Sequence, residues 1–308
     1  MSKKKQALLC VAAGNTIFGF SFIFSKMALE IAIPSVLIAA RFLMAFIALN
    51  IIAFAGSRIM IDDGHGGKKP LVGFSLRGKP LRNVLILALF QPILYFLCET
   101  YGITYTSSAF AGTIVAVIPV AGIVADVVIM RSTVRLRQVV CAVLSAIGVA
   151  ITTIGAEGMK SSFIGLMILL GAVCSGALFY VFSKKSGTYF NALEQTYVMF
   201  AAGSVIYILF ALIQCRGAYH EMILQPLQQP GFLLPVLYLA VMSSVAAFMF
   251  LNYGTVRVSV SEATIFTNLT TVISIIAGVV FLHEIFTGFQ IIGAIVILAS
   301  VYMANRSD

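Results

Sequence analysis

Runs of about twenty residues nearly free of charge recur along the chain, each long enough to cross the roughly 30 Å hydrocarbon layer of a bilayer as a helix. Ten segments qualify, at 7–29, 34–55, 83–102, 106–130, 136–155, 162–183, 190–213, 232–253, 258–282 and 287–304. Lipid offers the backbone no hydrogen-bond partners, so these segments must satisfy their own amides and carbonyls as helices. Charged residues make up 10% of the chain against 60% hydrophobic, too few to cover a water-facing surface. Only the connections 56–82, rich in Gly and Lys, and 214–231, rich in Gln and Pro, are long, and neither has room for a soluble domain.

The net charge of +9 does not indicate nucleic acid, because the Lys and Arg residues sit in short segments between apolar runs. That distribution orients a membrane protein. With the N-terminus placed in the cytoplasm, 16 basic residues fall inside and three (Lys26, Lys160 and Arg216) outside, while Arg41 lies within a span. The asymmetry predicts a multi-pass protein of the cytoplasmic membrane with both termini in the cytoplasm. Lys3-Lys4-Lys5 and the apolar run behind it read as the first span rather than a cleaved signal. The five cysteines, Cys10, Cys98, Cys141, Cys174 and Cys215, are scattered and odd in number, and form no disulfide or metal pattern. Gly64-His65-Gly66-Gly67-Lys68 lacks Walker spacing and reads as a flexible basic loop, with Asp62, Asp63 and His65 too few for a metal site. HExxH and GxSxG are absent. No cofactor, metal or catalytic residue is expected.

An internal repeat divides the chain. Gly14 and Gly19 match Gly171 and Gly176, and Phe24-Ser25-Lys26 matches Phe182-Ser183-Lys184 with a slip of one residue. Tyr101-Gly102 matches Tyr253-Gly254, Ala109 and Thr113 match Ala263 and Thr267, and Gln138 matches Gln290, all in the same order. Each half, 1–158 and 159–308, then holds five spans. Because five is odd, the second half enters the membrane in the opposite sense. The expected fold is an all-α integral membrane protein of ten helices, arranged as two inverted five-helix repeats around a central cavity. Inverted halves can expose one midplane site to either side in turn, an arrangement common among secondary transporters.

Several features resemble the EamA type of the drug/metabolite transporter superfamily: Gly14 through Lys26, Pro34 with Arg41-Phe42, Thr106-Ser107-Ser108-Ala109 leading to Pro119, and Phe281-Leu282-His283-Glu284. The likeness covers about residues 7–305. One departure is that Met130-Arg131 stands at the hairpin between the fourth and fifth spans, where the family commonly has Glu, which counts against Glu284 as half of a symmetric ion-binding pair. The resemblance implies export, or less often uptake, of small organic solutes such as amino acids and metabolites, driven by a gradient.

Charges and polar stripes inside the spans mark candidate substrate contacts. Gln91, Tyr95 and Glu99 recur every four residues and share one face of the third span. Thr264, Thr267, Asn268, Thr271 and Ser274 cluster on one face of the ninth, and Thr113 is the counterpart of Thr267. Asn15, Phe18 and Phe22 set an amide beside two aromatics on the first span. Arg41, seven residues past Pro34, and Glu99 reach similar depth, with Lys26 above them. Two readings stand for Arg41 and Glu99: an ion pair that pins helices, or a proton-responsive Glu99 beside an Arg41 that counters an anionic substrate group. Asp126, Glu194 and Glu262 read as interfacial residues paired with nearby Lys or Arg. Pro92 and Pro119 predict kinks.

The expectation from the sequence is therefore a secondary active transporter of a small organic solute, working by alternating access and in the export direction, with protons as the candidate coupling ion. A passive facilitator with the same cavity and a membrane-embedded lipid-modifying enzyme are the alternatives.

Overall fold

The computed structural model describes residues 3–58, 60–62, 68–70, 73–130, 136–154, 159–258, 263 and 266–305. The regular structure among the described residues is helical apart from two three-residue strands. Helix α1 is Lys3–Leu29 and α2 is Pro34–Arg58, followed by β1 (Met60–Asp62) and β2 (Lys68–Pro70). Helix α3 spans Leu81–Thr104. Then come α4 (Ser108–Val115), α5 (Ile118–Met130), α6 (Leu136–Ile154), α7 (Met159–Ser186) and α8 (Ala192–Gln214). A short stretch, His220–Leu224 running into Gln225–Leu227, forms α9. Helix α10 covers Pro230–Thr255. The last two are α11 (Thr267–Phe281) and α12 (Gly288–Asn305).

Among the described residues seven helical stretches are long and apolar enough to cross a membrane: Lys3–Leu29, Pro34–Gly56, Leu81–Thr104, Ser108–Ala125, Phe163–Ser186, Ala192–Gln214 and Pro230–Thr255. Val143–Thr152, Thr267–Phe281 and Gly288–Ser300 are apolar but shorter. The surface is the reverse of a soluble protein's. Ile213, Val128, Leu234 and Phe281 are largely exposed, whereas Asn15, Arg41, Gln91, Glu99, Gln195 and Asn252 are buried. Such an exterior suits lipid as solvent, and the molecule is a multi-pass membrane protein.

Prolines interrupt the spans where the sequence places them. Gln91, just before Pro92, has φ −145° and ψ 120°, so α3 is broken in its middle and its stretch Leu89–Leu94 is π-helical. Ahead of Pro119, Ala116 and Val117 close three-residue turns onto Thr113 and Ile114, which separates α4 from α5. Pro235 stands inside α10 without interrupting it, and Tyr238–Ala246 of the same helix is π-helical. Strands β1 and β2 pair antiparallel, with Asp62 opposite Lys68 and Met60 opposite Pro70, while Gly64–Gly67 of the expected flexible loop lie outside the described residues. The 214–231 connection carries α9.

Helices of the two halves interleave. Helix α1 packs on α10 and α11, α2 on α8, α3 on α7, α4 on α11, and α6 on α12. At the α6–α12 crossing Gly148 and Gly293 face each other. A Cβ on either would strike the other's carbonyl oxygen within 3.0 Å, so these backbones approach as only small residues permit. Gly293→Leu is expected to lower stability by about 1–3 kcal/mol through overpacking. Gly288→Ala, at a position with nothing within 4 Å, serves as the neutral control. Thermal unfolding in detergent reads both, and equal effects would contradict the packing account.

Two cross-links tie the ends of the bundle. Lys26 Nζ donates to the carbonyls of Ile103 (3.2 Å) and Thr106 (2.9 Å), capping the end of α3 rather than sitting above an Arg41–Glu99 pair. At the opposite end Glu194 is buried. It closes a capping box with Asn191 at the start of α8, accepts the Ser75 amide at 2.9 Å, and pairs with Lys79. The expected Lys partner for Glu194 is present. The side chain of Asp126, Glu262, Asp63, His65 and Arg131 lie outside the described residues.

Candidate functional site

A narrow pocket of about 20 Å³, room for roughly one water as it stands, lies among helices of both halves. Asn15 and Phe18 of α1, Gln91 and Tyr95 of α3, Val115 of α4 and Ile118 of α5 form one side. Gly176, Phe179 and Tyr180 of α7, Leu251 of α10, and Thr267 and Thr270 of α11 form the other. The break in α3 positions Gln91: its extended backbone leaves the helical path at the point where it lines the pocket. Tyr207 of α8 braces that break, its hydroxyl bonding to the carbonyls of Pro92 (2.9 Å) and Ile93 (2.6 Å). Pro92 O also accepts the Tyr95 amide, so the hydroxyl adds a second donor at the break.

The walls offer amide, hydroxyl and aromatic groups, and no formally charged side chain. Asn15 Nδ2 donates to Val11 O at 2.9 Å, and Thr270 Oγ1 meets Asn15 O at 2.9 Å. Tyr180 and Thr267 hydroxyls approach to 3.5 Å. Phe18, Phe179, Tyr95 and Tyr180 supply π faces suited to an amphipathic or aromatic solute.

Of the residues singled out from sequence, Asn15, Phe18, Gln91, Tyr95 and Thr267 line this pocket. The others do not. Phe22 is buried in the general apolar core. Thr113 Oγ1 bonds back to Ala109 O at 2.9 Å within its own helix. Thr271 Oγ1 reaches Gly112 O at 2.8 Å and so joins α11 to α4, and Ser274 bonds to Thr271 O. Asn268 has a buried Oδ1 with no hydrogen-bond partner among the described residues, away from the pocket lining. Thr264 lies outside the described residues. Thr270, Tyr180 and Phe179 are lining residues that the sequence did not single out. Tyr180 and Phe179 carry no mark inside an apolar run, and Thr270 sits one helical step off the expected threonine face.

Arg41 and Glu99 form no ion pair, which corrects the first of the two readings. Depth along a span sets height but not direction around the helix. Arg41 Nε donates to Ser244 Oγ at 2.9 Å and Nη2 to Ser243 Oγ at 2.8 Å, both on α10. Its guanidinium carbon lies 4.1 Å from the Phe96 ring centroid. Glu99 is 2% exposed and sits one turn beyond the pocket; Tyr95, a pocket wall, holds its Oε1 at 3.3 Å. Tyr95 thus touches both the pocket and the acid.

Glu284 takes a different role. His283 has φ 52°, a left-handed turn that directs the chain back, and Glu284 accepts from Ser108 N, Ser108 Oγ and Ala109 N at 2.8, 2.8 and 3.0 Å. It caps the start of α4. Two further depressions, bounded by residues such as Leu43 and Leu212 or Val280 and Ile295, are lined by apolar side chains on the outer surface. Among the described residues no cluster of His, Cys, Asp or Glu could hold a metal ion.

Comparison with known proteins places this architecture. Residues 5–154 and 163–306 each match the EamA-like transporter family. "Uncharacterized transporter YcxC" of Bacillus subtilis (strain 168) is 30% identical over 311 residues, covering 99% of this chain and 95% of that protein. "Uncharacterized transporter YetK" of the same organism is 25% identical over 98% of this chain and 88% of its own length. An "Uncharacterized transporter" of Archaeoglobus fulgidus is 20% identical over 97% of this chain and 98% of its own. A solved crystal structure superposes with a TM-score of 0.69 at 15% identity, over 98% of this chain and 97% of that one, a likeness of fold alone. Matched twice by the family's pattern and once by a relative spanning its whole length, the chain belongs to the EamA-like transporter family.

Proposed function

We propose that the protein is a secondary active transporter that exports a small organic solute across the cytoplasmic membrane by alternating access, with Glu99 as the proton-carrying group and no enzymatic step. One observation carries this reading: the pocket lies at mid-span and is walled by α1, α3, α4 and α5 from one half and by α7, α10 and α11 from the other. In a ten-span layout, with α4 and α5 together forming the fourth span, these are spans one, three and four and their repeat counterparts six, eight and nine. The packing is symmetric in the same sense. Exchanging the halves turns the α3–α7 pair into α10–α1 and maps α2–α8, α4–α11 and α6–α12 onto themselves. Two inverted repeats, 1–158 and 159–308, with both termini in the cytoplasm, account for that exchange. Discontinuous helices at a repeat interface are where such transporters place their solute.

The uncharged lining favours a solute without net charge at the pocket, one that presents an aromatic or apolar body and a few hydrogen-bonding groups. Tyr95 supplies the coupling route. A solute that bonds the Tyr95 hydroxyl competes with Glu99 for it, so solute and proton occupancy become linked through one side chain.

The test is solute flux in vesicles reconstituted with the purified chain, after a thermal-stabilisation screen has identified a binder. Accumulation driven by an imposed pH gradient is expected. Equilibration without accumulation would make the protein a passive facilitator, and absence of any flux would overturn the reading. Gly176→Val should block the site, because a side chain there projects toward Ile118 and Tyr95. Overpacking of about 1–3 kcal/mol corresponds to a loss of roughly ten- to hundredfold in solute affinity. Unchanged affinity would show that the solute binds elsewhere.

A further inference from the structure

Two charged side chains are buried inside the bundle without forming a pair. Arg41 is 1% exposed and Glu99 2% exposed. Arg41 is satisfied by two neutral hydroxyls and an aromatic face. Glu99 accepts only the Tyr95 hydroxyl, and its Oε2 has no partner among the described residues. The arrangement suits a Glu99 that carries its proton. An ionised carboxylate in this position would leave a buried charge uncompensated, which is costly in an apolar interior.

Among the described residues the neighbouring groups offer an ionised Glu99 one cation, Arg41. Tyr207 of α8 is committed to the Pro92 and Ile93 carbonyls, and Tyr238 of α10 donates to Ile17 O. Lys26 of α1 is held by carbonyls at the end of α3. Helix α8 has its acid, Glu194, paired with Lys79 at the far end of the helix. Cys98 of α3 itself, and Cys174 and Tyr180 of α7, provide no positive charge. Arg41 stacks on Phe96, three residues before Glu99 on the same helix, with its guanidinium carbon 4.1 Å from that ring.

We propose that Arg41 is a two-position cation, held by Ser243 and Ser244 while Glu99 keeps its proton and drawn onto the Glu99 carboxylate when that proton leaves to the aqueous side. Arg41 stays positively charged throughout; only Glu99 changes state. The consequence is mechanical. Ser243 and Ser244 lie in the π-helical stretch of α10, in the second half, whereas α2 and α3 belong to the first. With Glu99 protonated, the guanidinium ties the two halves together; with Glu99 ionised, it ties α2 to α3 and releases α10. A π-helical stretch at that point gives the released segment a ready place to repack. The switch rests on the proposed transport reading for its purpose, but not for its detection.

Infrared difference spectroscopy of the full chain in lipid nanodiscs, without solute, reads the switch directly. The protonated-carboxyl band is assigned to Glu99 by its loss in Glu99→Gln. In the wild type the band disappears as pH rises. In Ser243→Ala/Ser244→Ala, Arg41 has lost its competing partners, and the midpoint is expected to fall by about one pH unit, a tenfold change in proton concentration. In Arg41→Gln the midpoint is expected to rise, because no cation remains to receive the carboxylate. A serine double variant with the wild-type midpoint, an Arg41→Gln midpoint that falls, or a Glu99 band that never titrates would each overturn the switch. Failure of vesicle transport leaves this titration intact, and failure of the midpoint shift leaves the transport reading standing, so the two are separable.

Discussion

Glu99→Gln is expected to reduce pH-driven accumulation to simple equilibration while leaving solute binding in place. For one proton exchanged per solute, a gradient of about two pH units sustains an accumulation of roughly a hundredfold, each unit carrying about 1.4 kcal/mol. Without a titrating group at this position the ratio falls to about one. The substitution is mild in other respects. Glu99 accepts a single hydrogen bond, from Tyr95, which the Gln carbonyl can also accept. Glu99 is not part of the pocket lining, so a solute that stabilises the wild type against heat should stabilise the variant to a similar extent. Counterflow, in which labelled solute exchanges without net driving force, should persist. A variant that still concentrates solute against its gradient under a pH difference would remove Glu99 from the coupling step.

Most spans were legible because lipid imposes one strong rule on sequence, a long apolar run, and that rule places most helices to within a few residues; the ninth expected span, 258–282, is described as a helix only over Thr267–Phe281. Pro92 and Pro119 were legible for a similar reason: a missing amide cannot be hidden in a helix, and both breaks are where those residues stand. What the sequence could not set was rotation about each helix axis. On α11 the small polar groups spread over a broad arc, so a face of Thr267, Asn268, Thr271 and Ser274 looked continuous; the pocket instead receives Thr267 and Thr270, while Thr271 bonds to α4. Arg41 was visible as a charge in a span, but its partners Ser243 and Ser244 are two ordinary serines about two hundred positions away, in a helix whose π-helical turn carries no local signature. Interhelical hydrogen bonds among Ser and Thr are cheap to form in many registers, so pattern alone cannot choose among them.

Acidic residues illustrate how burial and role separate. Glu194 and Glu284 both sit at helix starts, where backbone amides and the helix dipole favour a negative charge, and each accepts several donors. Glu99 is placed in mid-helix, accepts one donor, and has no dipole in its favour. The first two are therefore fixed points of the architecture, and of the three only Glu99 could change its charge without dismantling a helix end, as the proposed coupling requires.

Glu284→Ala is expected to destabilise the fold by about 2–3 kcal/mol, the sum of a lost cap and of buried donors left unsatisfied. The start of α4 shows why. Its first two amides, Ser108 N and Ala109 N, are satisfied by Glu284, the third, Phe110 N, by Ser107 Oγ at 3.1 Å, and Ala111 N by Ser107 O at 3.0 Å. Removing the carboxylate leaves two of these four groups and the Ser108 hydroxyl without partners. Glu284→Gln should lose less, since its carbonyl can still accept while its amide NH2 faces donors it cannot bond. Ser107→Ala, which removes only the Phe110 partner, should cost about 1 kcal/mol. Thermal unfolding in detergent ranks the three variants. Because Glu284 joins the turn after α11 to the start of α4, and α4 supplies Val115 to the pocket, its loss should also lower solute affinity without altering the pH dependence of transport. A Glu284→Ala protein as stable as the wild type would show that α4 is held by its packing on α11 alone, and a changed pH dependence would assign Glu284 a part in coupling that its three donors argue against.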